Sequence, residues 1–106
     1  MYSVVLTTVA TKEDATRLAR ALIERRLAAC VNVLPATSLY RWRGEIREEG
    51  AHMLVIKTRR ALVDDIREMF EEAHPYEVPE LVALEVEDGS APYLNWLRTE
   101  TEDVPH

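Results

Sequence analysis

The order of strand and helix signals along the chain constrains its fold more than any other feature. SVVLTTV at residues 3–9 is a short, apolar, β-branched run, which is typical of a strand buried on both faces. Thr11 and Asp14 then resemble a capping box, and apolar side chains recur at helical spacing from Ala15 to Ile23. A second extended run, AACVNVL at residues 28–34, follows this helix. These segments predict one strand–helix–strand unit.

The second extended run continues beyond Pro35 as TSLYRWRGEI, and EEG at residues 48–50 is predicted to form a hairpin turn. A chain that folds back at this turn pairs its next strand only with the part that follows Pro35. AACVNVL is then left without a partner in its own chain, and an unpaired apolar edge promotes aggregation. We therefore predict that another subunit pairs with this segment.

A second strand–helix–strand unit occupies the rest of the chain. HMLVIKT at residues 52–58 predicts a third strand, and apolar side chains from Leu62 to Ala73 line one face of a second helix. Pro75 ends this helix, because proline disfavours helical geometry in the residue before it and lacks an N–H group. LVALEVE at residues 81–87 predicts a fourth strand, and Ser90 opens a short last helix.

Two βαβ units of similar length predict an α+β fold. The expected architecture is a ferredoxin-like βαββαβ sandwich, in which helices cover one face of an antiparallel sheet, with an extra C-terminal helix. A chain of 106 residues fits one domain, and we assign residues 1–106 to it. ETEDVPH at residues 100–106 is predicted to be a frayed tail.

Composition and motifs disfavour several classes of function. The formal net charge of −6 argues against nucleic-acid binding. YRWR at residues 40–43 has the aromatic and basic residues of a nucleic-acid-binding strip, but the alternation of side chains along a strand explains it more simply. No apolar run approaches the roughly 20 residues that span a bilayer. The first residues lack a basic leader and a cleavage site, so we predict a cytoplasmic protein. Cys30 is the only cysteine, which excludes an intrachain disulfide. The sequence has no nucleophile motif, phosphate loop or HExxH helix, so we predict no enzymatic activity.

Two long segments carry a resemblance to a known family. RLAACVNVLPATSLYRWRGEI at residues 26–46 and HPYEVPELVALEVEDGSAPYLNWL at residues 74–97 are similar to the CutA divalent-cation tolerance proteins. The resemblance implies a ferredoxin-like subunit, a homotrimer related in shape to PII-type signalling proteins, and a cytoplasmic location in bacteria. It also implies a link to copper and other divalent cations, without a cofactor required for folding. The trimer would supply the partner for AACVNVL.

The resemblance also points to a metal ligand. Copper binding in some family members is attributed to a cysteine in the first strand and to paired histidines just before the HPY proline. The matching positions here are Thr7, Ala73 and His74, which leaves His74 as the predicted metal ligand. A lone imidazole holds a divalent ion weakly, so carboxylates or a second subunit would have to complete the site. In the structural alternative, His74 caps the second helix with a protonated ring near the C-terminal carbonyls.

Other candidate copper ligands have structural alternatives that are favoured. Cys30 offers a soft sulfur with Asn32 close by, yet a cysteine between small apolar residues more often packs inside the protein. Met53 offers a thioether beside His52, but core filling by Met53 and an exposed His52 explain the pair more simply. Carboxylates along the second helix are interpreted as a solvated acidic face.

Four residues match positions that are characteristic of the family pattern: Trp42, Lys57, Tyr76 and Glu80. Together with Cys30 they are predicted to line clefts between subunits, where a small anion or metabolite could bind by analogy with PII-type proteins. The main hypothesis is a non-enzymatic, trimeric protein of divalent-cation tolerance that binds copper weakly. The alternative is a small-molecule sensor or interaction trimer whose ligand lies in these clefts.

Overall fold

The computed structural model of the protein describes residues 1–102. The predicted order of strands and helices is confirmed, and the fold is an α+β arrangement of one four-stranded sheet and three α-helices. In chain order the elements are β1 (Tyr2–Val9), α1 (Lys12–Glu24), β2 (Cys30–Trp42), β3 (Glu45–Arg59), α2 (Val63–Ala73), β4 (Val82–Glu85) and α3 (Ala91–Glu100). A short 3-10 turn, Arg60–Leu62, leads into α2.

The helix ends lie where the sequence predicts them. Thr11 Oγ1 accepts a hydrogen bond from the Asp14 N–H at 3.1 Å, which satisfies a free donor in the first turn of α1. α2 ends at Ala73, and His74 adopts an extended conformation directly before Pro75. α3 begins after Ser90. Local sequence signals therefore set these helix boundaries.

The sheet has the strand order β2-β3-β1-β4, and all its strand pairs are antiparallel. β1 lies inside the sheet, and its side chains alternate between fully buried and partly exposed. The prediction that β1 is buried on both faces is therefore correct for one face only. On that face, which we call the helix-covered face, the sheet contacts α1 and α2 through an apolar cluster that includes Val5, Val9, Leu18, Leu22, Leu54, Ile56, Ile66 and Phe70. Complete burial of each large apolar side chain contributes about 1.5–3 kcal/mol to folding.

The hairpin between β2 and β3 turns earlier than the sequence analysis predicts. Its central residues are Arg43 and Gly44, whose φ angles of +51° and +80° are the left-handed geometry that a tight two-residue hairpin needs. Gly50 lies inside β3, opposite Thr37. The predicted turn at residues 48–50 is therefore wrong. Gly44 supplies the positive φ without a steric penalty, and the acidic residues that follow are accommodated in an exposed strand.

The early turn gives AACVNVL a partner within the chain. Cys30 to Leu34 of β2 face Lys57 to Met53 of β3 in antiparallel register. The prediction that this segment lacks an intrachain partner is therefore wrong. β2 is instead an edge strand, and Pro35 is tolerated there because one side of an edge strand makes no ladder hydrogen bonds.

The β2–β3 hairpin is long and projects beyond the helices. β3 has 15 residues, which at about 3.4 Å per residue correspond to the 47 Å long axis of the molecule. Residues 39–50 around the turn are all exposed. Among them, Leu39 and Ile46 are apolar yet 64% and 71% exposed. The register places Leu39 and Ile46 on the same face of the hairpin, and neighbouring exposed apolar side chains are typical of surfaces that contact another molecule.

The second face of the sheet is only partly covered. Side-chain alternation and register place on it Val4, Leu6, Leu34, Met53, Val55, Val82 and Leu84, and we call this set the open face. The chain segment after α3 reaches one end of this face, where Arg59 Nε donates to Thr101 Oγ1 at 2.8 Å. Elsewhere on the open face, the exposed fractions of Leu34, Val82 and Leu84 are 41%, 46% and 49%.

The last described residues make firm contacts. Thr101 is buried, accepts hydrogen bonds from Arg59 and donates its hydroxyl to the Leu97 carbonyl at 2.9 Å. The predicted frayed tail is therefore wrong for Glu100, which belongs to α3, and for Thr101. Glu102 is exposed and follows α3, and the rest of that prediction, at residues 103–106, lies outside the described residues. Within residues 1–102, no helix combines the length and apolar character that a membrane crossing requires.

Candidate functional site

A groove of about 900 Å³ lies between the β2–β3 hairpin and the segment that follows α2. The hairpin forms one wall, and residues 75–80 contribute the other. The aromatic and charged side chains that line both walls include Tyr40, Trp42, Arg47, Glu49, Tyr76 and Glu80. A groove of this size with aromatic walls is typical of a small-molecule site.

Tyr40 and Glu49 form the fixed part of the hairpin wall. The register pairs Tyr40 with Arg47 and Ser38 with Glu49, so these side chains project from the same face of the hairpin. The Tyr40 hydroxyl donates a hydrogen bond to Glu49 Oε1 at 2.6 Å. This hydrogen bond is the main reason why the pKa of Tyr40 is raised, so the phenol stays neutral at neutral pH.

His74 holds the second wall in place. Its Nδ1 accepts the backbone N–H of Tyr76 at 3.1 Å, and its ring centroid lies 5.2 Å from that of Phe70 and 5.3 Å from that of Tyr76. Its Nε2 lies 3.0 Å from the hydroxyl of Thr7, a buried residue of β1. Since Nδ1 is an acceptor, the proton of the neutral ring is on Nε2, which donates to Thr7. His74 therefore connects β1, the end of α2 and the groove.

These contacts decide the protonation state of His74. Burial is the main reason why its pKa is lowered, so the ring is neutral at neutral pH. The predicted position at the end of α2 is confirmed. The predicted protonated ring against the helix carbonyls is wrong, because the ring bonds to Thr7 and Tyr76 instead. A metal ion at His74 would have to displace one of these partners.

The structure brings together the positions that the resemblance links to copper. Thr7 and His74 are hydrogen-bonded, and Ala73 precedes His74 as the last residue of α2. The threonine hydroxyl is a hard neutral oxygen, whereas copper in its reduced state favours a soft thiolate. In the part of the chain that the structure describes, no three His, Cys, Asp or Glu side chains form a group that could hold a metal ion.

The predicted cleft residues fall into two groups. Trp42, Tyr76 and Glu80 all line the groove. Cys30 and Lys57 face each other across β2 and β3, at the ends of these strands that lie far from the turn. Cys30 is half-buried there rather than fully packed inside the core. The five predicted residues therefore do not form one site within a single chain.

Sequence analysis missed the role of Tyr40 and Glu49 and the contact between Thr7 and His74. The first omission follows from the misplaced turn. A two-residue turn at Arg43 fixes the antiparallel register and would have placed Tyr40 and Glu49 on the same face by counting. The Thr7–His74 contact joins residues that are 67 apart in the chain. No local pattern encodes such a contact.

Comparison with known proteins identifies relatives over nearly the whole chain. A family model described as CutA1 divalent ion tolerance protein matches residues 3–100. The divalent-cation tolerance protein CutA of Thermus thermophilus is 47% identical over 102 residues, which cover 95% of this chain and 99% of that protein. The human Protein CutA is 45% identical over 103 residues, which cover 96% of this chain and 58% of the human protein. The chain thus spans little more than half the length of the human relative.

Solved structures share the fold. The divalent cation tolerance protein (Cut A1) of Thermus thermophilus superimposes with a TM-score of 0.92 at 47% identity, covering 96% of this chain and 100% of that one. The CutA1 structure from Oryza sativa gives a TM-score of 0.93 at 40% identity, with 97% and 95% of the two chains covered. The similarity in sequence is therefore matched by similarity in three dimensions.

Proposed function

Because the chain belongs to the CutA1 divalent ion tolerance protein family, we propose that it is a non-enzymatic homotrimer of divalent-cation tolerance that binds a small molecule in its groove. The construction of the groove carries this proposal. One wall is fixed by the hydrogen bond from Tyr40 to Glu49, and the other by the bond from the Tyr76 N–H to His74. Walls that are already positioned reduce the entropy lost when a ligand binds.

The contacts of His74 favour ligand binding over tight metal binding as the main role. Both ring nitrogens are used, one to hold Tyr76 and one to hold Thr7. Binding a metal there breaks a hydrogen bond of the groove wall, whereas binding a ligand in the groove leaves both in place. Losing a buried hydrogen bond costs about 1–3 kcal/mol, which subtracts from metal affinity.

Calorimetric titration with copper, zinc and nucleotides, followed by two matched variants, tests the ligand site. Trp42 lines the groove, and Trp96 is a similarly exposed tryptophan on α3. A ligand detected in the titration should bind Trp42→Ala about five- to thirtyfold more weakly, since aromatic contacts within a site contribute about 1–2 kcal/mol. Trp96→Ala should bind it as the unchanged protein does. Equal binding by both variants would contradict a site in the groove.

The open face supports the proposed homotrimer. Leu34, Val82 and Leu84 are each more than two-fifths exposed, and the β2 edge offers unpaired backbone groups beside them. Burying such surface contributes about 25 cal/mol per Å². A closed three-fold arrangement covers Leu34, Val82 and Leu84 in every copy, whereas an open contact would polymerise. The strand order β2-β3-β1-β4 supports a ferredoxin-like subunit within a PII-like assembly.

Light scattering coupled to size exclusion tests this assembly. The expected mass at micromolar concentration is about three times the 12.2 kDa of one chain. Unfolding should also depend on protein concentration, because folding and assembly are then linked. A well-folded monomer under these conditions would rule out the homotrimer.

Weak copper binding is a second candidate function, and the contact between Thr7 and His74 favours it. Thr7 and His74, which the resemblance matches to a copper-binding cysteine and histidine of the family, are in contact in this chain. We expect copper affinity to fall in His74→Ala and to change little in Cys30→Ala. Thr7→Cys should strengthen binding, because it places a thiolate beside the imidazole. Equal loss in the His74 and Cys30 variants would instead make Cys30 a direct ligand.

The cytoplasmic location stays a prediction. One solved relative, from Archaeoglobus fulgidus, is described as periplasmic, and the rice relative Protein CutA 1 is described as chloroplastic. Fractionation of the native cell, followed by detection with an antibody, decides the location. Recovery outside the cytoplasmic fraction would contradict the prediction.

A further inference from the structure

The groove combines aromatic rings with an excess of carboxylates. Its aromatic side chains are Tyr40, Trp42 and Tyr76. Its acidic side chains are Glu49, Glu77 and Glu80, and its lining includes a single basic side chain. The groove therefore carries negative charge next to ring faces, and both attract cations. The guanidinium carbon of Arg43 already lies over the Trp42 ring, 5.8 Å from its centroid, so a ligand cation must use the other face of this ring or displace Arg43.

The single basic side chain offsets only part of the charge of the three carboxylates. It belongs to Arg47, whose guanidinium lies 3.7 Å from Glu45 Oε1, and Glu45 is not part of the groove lining. The Tyr40 hydroxyl that donates to Glu49 is neutral, so it adds no positive charge to offset this carboxylate. On the opposite wall the pKa of Tyr76 is raised, mainly by burial and to a smaller extent by the charge of Glu49. Both tyrosines consequently present neutral rings at neutral pH.

Aromatic walls and carboxylates select for one class of ligand. A substituted ammonium ion has a positive charge for the carboxylates and alkyl groups for the ring faces. A phosphate-bearing ligand would be repelled by three carboxylates. A hydrated metal ion would gain nothing from the apolar surface of the rings.

We propose that the groove binds a small organic cation, whose ammonium group is recognised by the rings of Trp42 and Tyr76 and by the carboxylate of Glu49. This inference rests on the groove being the ligand site proposed above, and it adds the chemical class of the ligand. Each cation–ring contact contributes about 0.5–2 kcal/mol, depending on how well water is excluded. The hydrogen bond from the Tyr40 hydroxyl holds Glu49 in place, so its carboxylate is already positioned for the ligand.

Nuclear magnetic resonance of the full chain, with choline as the probe, tests this inference. The indole N–H signals of Trp42 and Trp96 report on the groove and on α3, and the variant Trp96→Phe assigns them. Choline should shift the Trp42 signal in a saturable way and leave the Trp96 signal in place. The uncharged analogue, in which a tert-butyl group replaces trimethylammonium, should bind at least about tenfold more weakly.

Two glutamates that are adjacent in the hairpin supply a matched pair of variants. Glu49 lines the groove, whereas Glu48 pairs with Leu39 and projects from the opposite face of the hairpin. Glu49→Gln should weaken choline binding about tenfold, and Glu48→Gln should change it less than about twofold. Both changes lie on an exposed strand, and circular dichroism confirms that each variant is folded.

The outcomes separate this inference from the proposed function. Equal affinity for choline and its uncharged analogue overturns the organic cation but leaves a ligand site in the groove. No shift of the Trp42 signal by choline, or equal effects of the two glutamine variants, overturns the cation inference. A copper-induced shift of Trp42 without a choline shift also overturns it, in favour of a metal ion. The proposed function fails separately, if light scattering finds a monomer.

Discussion

The two faces of the β-sheet have similar apolar side chains but different surroundings. On the helix-covered face, Leu54 and Ile56 of β3 are fully buried beneath α1 and α2. On the open face, Val82 and Leu84 of β4 remain 46% and 49% exposed. The apolar pattern of the sequence thus indicates which side chains favour removal from water, but it does not indicate which molecule covers them.

The difference between the two faces depends on whether the chain itself has an apolar surface that fits each face. α1 and α2 each carry an apolar stripe, with Leu18 and Ile66 among its buried members, and these stripes fit the helix-covered face. For the open face, we propose that a second and a third copy of the chain supply the surface. The helix-covered face then belongs to the subunit, and the open face to the assembly.

The largest expected effect is the loss of assembly on placing a charge on the open face. Leu84→Glu puts a carboxylate in each copy where the proposed trimer buries a leucine, and unpaired buried charges are strongly destabilising. We expect the mass measured by light scattering to fall from three chains to one at micromolar concentration. The control is Ile23→Glu, at a 41% exposed residue of α1, which should remain trimeric. A trimeric Leu84→Glu variant would show that this part of the open face is not an interface.

The second effect concerns the helix-covered face. Leu54→Ala removes a fully buried side chain and should lower the free energy of unfolding by about 2–5 kcal/mol. Urea unfolding in the Leu84→Glu background measures the free energy of unfolding of the single subunit, without a contribution from assembly. In that background the matched change at the hairpin, Ile46→Ala, should cost less than about 0.5 kcal/mol, because Ile46 is 71% exposed. Similar losses at both positions would contradict the division between core and assembly surface.

The fold could be predicted from the sequence wherever local patterns and packing agree. The Thr11 cap, the stop at Pro75 and the helical spacing from Ala15 onward all correspond to elements of the structure. The hairpin could not be predicted as well, because residues 39–50 are all exposed and burial therefore does not determine which of them form the turn. The sequence consequently predicts a turn that ends at Gly50 rather than one at Gly44.

The candidate site could be predicted only in part. The family resemblance indicated Trp42, Tyr76 and Glu80, which the fold brings to one groove. It also grouped Cys30 and Lys57 with them, although these residues lie at the far end of the strand pair. Residues that match a family pattern share an evolutionary origin rather than a location, and a site that spans subunits can separate them within one chain.

The third effect is a pH dependence of stability at His74, which connects Thr7 of the helix-covered face to the groove wall. Burial lowers the pKa of His74 in the folded state below the usual value of about 6.5 for an unfolded chain. The unfolded state then binds more protons, so stability rises with pH. The contribution of His74 is fully present above about pH 6.5 and is lost as the pH falls through the lowered value.

Thermal unfolding at pH 7.5 and pH 5.5, at one protein concentration, measures this dependence. The drop in melting temperature between the two pH values should be smaller in His74→Gln, because glutamine does not titrate and its amide can still donate to Thr7. The variant His52→Gln is the control, since it also removes an imidazole but leaves the Thr7–His74 contact intact. An unchanged drop in His74→Gln would mean that other groups carry the pH dependence.

The smallest effect is expected at the turn of the hairpin. It distinguishes Gly44 from Gly50 as the glycine that the turn requires. Gly44 has a φ of +80°, so Gly44→Ala should destabilise the hairpin by about 1 kcal/mol. Gly50 lies in an extended strand with open space where a Cβ would be, so Gly50→Ala should be neutral or stabilising by up to about 1 kcal/mol. Urea unfolding of both variants in the Leu84→Glu background measures the difference without assembly. A larger loss of stability for Gly50→Ala than for Gly44→Ala would favour a turn at residues 48–50. The AACVNVL segment would then lack a partner in its own chain. In that case the edge of β2, rather than the open face, would have to account for assembly.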